Sequence, residues 1–328
     1  MTRPKLLLDL SPELERDLFD VPTLKRLDRV ADVRRSGPAR FPDPERLAAD
    51  ILVTGWGSAA LPPSLEEGAR LKLVAHSAGT VRWLVPKTLV ADGVRVTQAA
   101  AGMATSVAEL ALFFTQSLLR SLYAVDRRMV RGDWSGALEF GLGRTIAGTR
   151  VGVIGASRVG RSYIELVTAL GAEVVVSDPY LHPAEARDMG VELVGLDDLL
   201  ASCPVVALHA PVTHETRGMI TAERFALLQD GAAFVNTARS AIIDTAALIS
   251  ELRSGRISAA LDVFDVEPLP AGDPLWSLPN VILTPHIGAV TTHSRRTQGA
   301  IVVEEIERFA SGVGLRFEVN EGNYDRLA

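Results

Sequence analysis

Cysteine is nearly missing: Cys203 is the only one in 328 residues. A lone thiol rules out an intrachain disulfide framework, so stability has to come from buried apolar surface. Cys203 itself reads as a small core residue beside a strand, not as a nucleophile. No Cys/His cluster has metal-ligand spacing, and no metal is expected. Runs of basic residues are lacking too. The net charge is −6, and the densest cluster, Arg127, Arg128 and Arg131, reads as a solvated helix end. That is no footprint for a phosphate backbone, so no nucleic-acid partner is expected. No window of about 20 uncharged apolar residues occurs, which predicts no membrane span and no membrane partner. The opening "MTRPKLLLDL" has too short an apolar run for a secretory signal, and Asp9 breaks it. A soluble cytoplasmic protein is the expectation. Repeats of solenoid length and low-complexity blocks are lacking as well.

What is present is an ordinary globular composition, 47% hydrophobic and 23% charged, at a length that predicts about two domains. Short apolar runs alternate with helix-like segments. "KLLLD" (5–9), "ILV" (51–53), "LKLVA" (71–75) and "VRV" (94–96) read as buried parallel strands. An amphipathic segment follows at 106–130, then a Gly-rich polar stretch read as loop. A second series begins at "RVGVIG" (150–155) and continues with "EVVVSD" (173–178), "VVALHA" (205–210), "AAFVNT" (232–237), "AALDVF" (259–264) and "VILTPH" (281–286). Helices separate several of these, for example Arg158–Leu170 and Thr245–Ser254. The rhythm predicts an α/β protein with parallel sheets covered by helices on both faces. A helical pattern at 291–312 and a polar tail close the chain.

The string "VGVIGASRVGRSY" (151–163) reads as a dinucleotide-binding turn with one glycine replaced. Gly155 would permit the tight turn, and Gly160 the close packing of helix on strand. Ser157 holds the place where a glycine lets backbone approach a pyrophosphate. With a negative φ its Cβ costs little, and the helix start behind it still offers N–H groups and a positive dipole end. The next strand ends at Asp178, where a carboxylate can accept from ribose hydroxyls and repel a 2′-phosphate. Pro179 and Tyr180 follow, with no arginine to hold such a phosphate. The expected cofactor is NAD rather than NADP.

Three further strings begin at expected strand ends: "NTARSAIID" (236–244), "LDVFDVEP" (261–268) and "LTPHIG" (283–288). They offer Arg239, a bidentate clamp for a carboxylate; His286, a proton donor near neutral pH; and Glu267, which could orient that imidazole. Each alone reads as an ordinary surface or core residue. Together at strand ends, beside a nicotinamide, they suggest hydride transfer to a 2-oxo acid.

These strings resemble the D-isomer-specific 2-hydroxyacid dehydrogenase family. "AAAGMATSVAELAL" (99–112), "GASRVG" with "SDP", "LHAPVTHETRGMI" (208–220), "NTARSAIIDTAAL", "LDVFDVEPLP" and "PLWSLPNVILTPHIG" occur in the family's order. The resemblance implies two Rossmann/flavodoxin-like domains, with the NAD-binding domain (99–292) inserted into a substrate-binding domain (1–98 and 293–328). It assigns Arg239 to substrate binding and catalysis, Glu267 to the histidine's partner, and His286 to acid–base work. It places Thr105, Gly155, Ser157, Arg158, Val159, Asp178, Pro179, His209, Ala210, Pro211, Thr216, Thr237, Ala238, Asp262, His286 and Gly288 around NAD. Substrate would be held by Arg239, His286 and the loop Ser77, Ala78 and Gly79. The segment 106–130 would pack in a homodimer.

The chain also departs from the family pattern. Ala78–Gly79–Thr80 and Arg82 stand where a Gly-x-Gly pair and an acidic residue are usual. Ser240–Ala241 replaces Gly-Gly, Met103 a frequent asparagine, and Ser157 a glycine. His76 and Arg82 are read either as surface residues beside a loop or as contacts for a second anionic group on the substrate. The alternative to an enzyme is a non-enzymatic NAD-sensing scaffold on the same fold, corepressor-like.

Overall fold

The structure, a computed structural model, describes residues 3–37 and 40–325. The chain divides into two compact units, Met1–Met103 with Val290–Ala328, and Ala104–Ala289.

In the first unit five parallel strands form one sheet: β1 (Lys5–Asp9), β2 (Asp32–Arg35), β3 (Ile51–Thr54), β4 (Leu73–His76) and β5 (Arg95–Gln98). Their order is 2-1-3-4-5, a flavodoxin-like arrangement. β3 and β4 are buried along their whole length, which is why they read as continuous apolar runs. The helix Thr292–Ala310 packs Val302, Val303 and Ile306 onto Leu6, Leu8 and Leu73.

The second unit carries a parallel sheet of seven strands: β6 (Arg150–Ile154), β7 (Glu173–Ser177), β8 (Glu192–Leu193), β9 (Val205–Leu208), β10 (Ala233–Asn236), β11 (Ser258–Leu261) and β12 (Val281–Leu283). The order runs β8-β7-β6-β9-β10-β11-β12. Strand order therefore reverses between β6 and β9, the switch point of a doubly wound sheet, where a crevice opens at the strands' C-terminal ends. The family of expectations about α/β class and parallel sheets holds in both units.

Several elements differ from the sequence reading. The 106–130 segment is two helices, Ala104–Leu119 and Leu122–Met129, broken where Ser121 adopts a left-handed φ of 49°. The stretch read as loop contains a short helix, Trp134–Leu138, capped by the Asp133 carboxylate accepting from Gly136 N. The polar tail holds β13 (Glu318–Val319), antiparallel to β5. β2 and β8 were also unread. All three are edge strands with polar side chains, so no apolar run announces them.

The stretch Ala100–Leu119 has the length and apolarity of a bilayer span, and over half of it is buried. Ala108, Ala111, Phe114 and Leu118 pack there against Tyr163, Ile164 and Val167 of the helix Arg158–Ala169. It is built as a core helix of the second unit.

Candidate active site

The turn after β6 explains its glycines. Gly155 has φ of 92°, and a Cβ there would lie 2.7 Å from Ala210 Cα. At Gly160 a Cβ would meet Gly155 O at 2.1 Å. Ser157 has φ of −78° and ψ of −163°, extended backbone that any residue adopts. Its side chain makes no capping bond to the helix Arg158–Ala169. The first-turn N–H groups of this helix thus receive no side-chain cap from Ser157, and the positive helix end is one that suits a pyrophosphate.

Asp178, just past β7, is tied to this turn. Its Oδ2 accepts from Ala156 N at 2.7 Å and its Oδ1 from Tyr180 N at 2.8 Å. A cavity of 610 Å³ opens beside it, lined by Gly155, Asp178, Pro179, Ala210, Pro211 and Thr216 among others. That volume fits a small-molecule site. Six of the residues expected around a cofactor therefore meet in one hollow at the switch point.

The lining also includes residues that the sequence does not single out, among them Tyr180, whose hydroxyl donates to Glu215 Oε2 at 2.8 Å, and Glu215 itself. The cavity's one arginine, Arg224, is held by Asp197 Oδ1 at 2.8 Å and Met219 O at 2.7 Å. Only spatial neighbourhood reveals Glu215, which lies far along the chain from Asp178. Thr216 fixes the adjoining turn, donating to Pro211 O at 2.6 Å and accepting from Thr213 N at 2.8 Å.

His209 is not among the residues lining the cavity. Its ring is buried 4.9 Å from that of Tyr163, with neither nitrogen bonded. Burial lowers its pKa to about 3, so it is neutral. Thr105 and Arg158 lie at the starts of their helices, Thr105 exposed, and Val159 packs into the core below.

The chemistry-bearing groups stand beyond β10, β11 and β12. Asn236, fully buried, shapes the turn after β10: its Oδ1 accepts from Ala238 N at 3.0 Å and its Nδ2 donates to Arg239 O at 3.2 Å. Thr237 sits in the same turn with a buried, unbonded hydroxyl. Arg239 Nη1 donates to Ala238 O at 2.6 Å. Partial burial lowers the pKa of its guanidinium, against the pull of the Glu267 carboxylate.

His286 Nδ1 and Glu267 Oε2 are 2.7 Å apart. Glu267 Oε1 accepts from Phe264 N at 3.0 Å, which fixes the carboxylate. His286 has φ of 55°, an uncommon left-handed conformation for a residue with a side chain. Asp262, 1% exposed, stabilises that turn. Its Oδ1 accepts from Thr284 Oγ1 at 2.6 Å and Ile287 N at 2.8 Å, and its Oδ2 from Gly288 N at 2.8 Å. Arg239 and an imidazole held by a carboxylate thus stand at adjoining strand ends, groups able to bind an acid and to move a proton.

Of the residues in the first unit, Ser77 follows β4 and donates its N–H to Thr54 O at 2.8 Å, while Ala78 O accepts from Ala99 N at 2.9 Å. Gly79 is half-buried. His76 is not a surface residue: it is 1% exposed, its Nδ1 lies 3.0 Å from Thr54 Oγ1, and burial lowers its pKa to about 4. Arg82 turns to the chain's end, donating to the carbonyls of Tyr324 and Asp325.

Comparison with known proteins agrees with this geometry. Residues 112–288 match the model of the D-isomer specific 2-hydroxyacid dehydrogenase NAD binding domain. A D-3-phosphoglycerate dehydrogenase of Methanocaldococcus jannaschii is 34% identical over 80% of this chain and 50% of its own length. The chain thus spans about half the length of such relatives. A hydroxypyruvate reductase of Thermotoga maritima is 34% identical over 78% of this chain and 83% of its own. The structure of Rhodotorula graminis D-mandelate dehydrogenase shares the fold, with a TM-score of 0.86 at 23% identity over 97% of this chain and 98% of that one. The chain belongs to the D-isomer-specific 2-hydroxyacid dehydrogenase family, and NAD is its cofactor.

Proposed function

We propose that the protein interconverts a 2-oxo acid and the D-2-hydroxy acid, with His286 as acid–base residue. The observation that carries this is the 2.7 Å contact between His286 and Glu267, with Arg239 at the adjoining strand end. Bound NADH supplies the hydride that reduces C2. His286 gives its Nε2 proton to the C2 oxygen, and in the reverse direction takes it back. Glu267 holds the Nδ1 proton, so the other nitrogen is the one that faces substrate. Arg239 binds the substrate carboxylate and polarises the carbonyl, aided by a lowered hydration of its guanidinium. The loop Ser77–Gly79 binds the same carboxylate through the backbone N–H groups of Ala78 and Gly79, the Ser77 N–H being taken by Thr54 O.

The cradle at Ser157–Val159 would hold the pyrophosphate, and Asp178 the adenosine ribose. Thr105, His209, Thr237, Ala238, Asp262 and Gly288 complete the cofactor's surroundings in this reading. Glu215 adds a second carboxylate at the cavity beside Asp178, and Arg224, the one arginine among the described lining residues, is already engaged, so a 2′-phosphate meets repulsion there.

A homodimer is part of the proposal. Phe113, Leu122, Trp134, Leu138, Phe140 and Leu142 are exposed within one stretch of the second unit, and clustered apolar exposure of this kind is what a partner surface would cover. A cytoplasmic setting suits a buried, unpaired Cys203.

The test is steady-state loss of NADH absorbance with a panel of 2-oxo acids, followed by chiral analysis of the product. Turnover of at least one acid to the D-hydroxy acid is expected. Tight NADH binding without turnover of any acid would put the scaffold reading in its place.

A further inference from the structure

Beyond β3 and β4, the first unit gathers an unusual set of side chains. The Arg295 guanidinium carbon lies 3.8 Å above the ring of Trp56, a stacked cation–π contact. Several other arginines of this unit meet carboxylates, for example Arg26 with Glu307 at 2.6 Å, Arg95 with Glu318 at 2.7 Å and Arg46 with Asp43 at 2.7 Å. Arg295 has no carboxylate at ion-pair distance among the described residues. Its hydrogen bond to Gln298 is a long one, 3.4 Å from Nη1 to Oε1. A guanidinium has five N–H donors, so most of this charge's bonding capacity is unused.

Its neighbours point the same way. Gln298 is 0% exposed, and its Nε2, on the carboxamide that touches Arg295, has no acceptor. The loop side offers two more buried, unpartnered groups, His76 Nε2 and Ser77 Oγ. β3 and β4 are paired with Thr54 opposite His76, so Trp56 and Ser77 leave the sheet side by side. A Cβ on Gly55, next to Trp56, would lie 2.7 Å from Ser77 Oγ. Adjacent strands run only about 4.8 Å apart. The expected carboxylate loop and the Arg295–Trp56 pair are thus neighbours on one sheet end.

We propose that Arg295, stacked on Trp56 and backed by Gln298, is a second-anion subsite that selects 2-oxo acids bearing a distal carboxylate or phosphate. The proposal rests on the reading that Ser77–Gly79 bind the first carboxylate. The indole face restrains the guanidinium, so a planar, bidentate anion loses little side-chain entropy in docking. Asp17 acts on Arg295 only from beyond ion-pair distance, so a distal anion would supply the directly bonded partner that the guanidinium lacks among the described residues. It also moves the second-anion role away from Arg82, whose donors go to the Tyr324 and Asp325 carbonyls.

The experiment compares acids matched in length with the full chain and NADH: 2-oxoglutarate against 2-oxovalerate, and phosphohydroxypyruvate against hydroxypyruvate. The two pairs separate a carboxylate from a phosphate. Calorimetry with the non-reacting pair glutarate and valerate reads the subsite without turnover, so loss of the reductase reading leaves it testable. The expected result is about tenfold or greater preference for the doubly charged acid, expressed in KM and in Kd. Arg295→Met should remove the preference while changing the singly charged acid little. Arg295→Lys should keep part of it, and Trp56→Leu should weaken it. Equal binding of glutarate and valerate to the unaltered protein would overturn the proposal. So would a preference that survives in Arg295→Met, or an equal loss for both kinds of acid, which is the mark of a packing role.

Discussion

Asp262 Oδ1 sits 2.8 Å from the amide nitrogen of Ile287, the residue immediately after His286. With Thr284 and Gly288 held by the same carboxylate, both flanks of His286 are fixed by one buried side chain. Asp262→Ala leaves those donors without an acceptor, at about 1–3 kcal/mol for each buried group. We expect a lowered urea midpoint and a fall in kcat with NADH affinity reduced less. Asp262→Asn should be milder in stability but should still lower kcat, because an amide cannot accept at both ends. Full kcat in Asp262→Ala would remove the positioning role.

Glu267→Gln tests the orienter. The amide still reaches His286 but carries no charge and can present the wrong end to Nδ1. A fall in kcat of about 10- to 100-fold is expected, with KM for the oxo acid changed far less. A change confined to KM would mean that Glu267 serves substrate binding instead.

The loop glycines and Ser157 should behave oppositely. Ser157→Gly meets no strain to relieve, since φ is −78°. NADH affinity should stay within about threefold. Gly155→Ala puts a Cβ against Ala210 at a φ of 92°, a conformation costing about 1–3 kcal/mol even without the clash. Nicotinamide fluorescence titration separates the two outcomes.

Buried neutral histidines set an acid limit. His76 and His209 titrate at about 4 and about 3 in the fold, below the ordinary value of 6.5. The unfolded chain takes up these protons first, so their stability contribution is present above pH 6.5 and is lost as pH falls toward the folded values. Each contributes a slope of up to about 1.4 kcal/mol per pH unit in that window. Urea midpoints measured between pH 7.5 and 4.5 should decline, and His76→Asn should flatten the decline. An unchanged slope in that variant would show that other groups govern it.

Much of this was legible because the relevant residues follow strands. Buried parallel strands are apolar along their length, so β3, β6 and β9 stood out, and with them the turns bearing Gly155, Arg239 and His286. Edge strands β2, β8 and β13 carry polar faces and left no such trace. The break at Ser121 depends on a single backbone angle that the surrounding apolar pattern does not encode. The sequence leaves His76 open between a surface place and a substrate contact, because a buried histidine and a surface histidine after a strand look alike; its burial removes the surface reading. Glu215 and Arg295 matter through their neighbours, Tyr180 and Trp56, and those contacts join residues distant in the chain. The resemblance places Asp262 around NAD, but its grip on both sides of His286 emerges only from the hydrogen bonds.

The most direct test is turnover by His286→Gln, with NADH binding followed in parallel by nicotinamide fluorescence. If His286 is the proton donor, NADH affinity stays within about threefold while kcat/KM for the accepted 2-oxo acid falls about 100- to 10,000-fold. Turnover at the unaltered protein's rate would contradict the account and assign the proton transfer to another group.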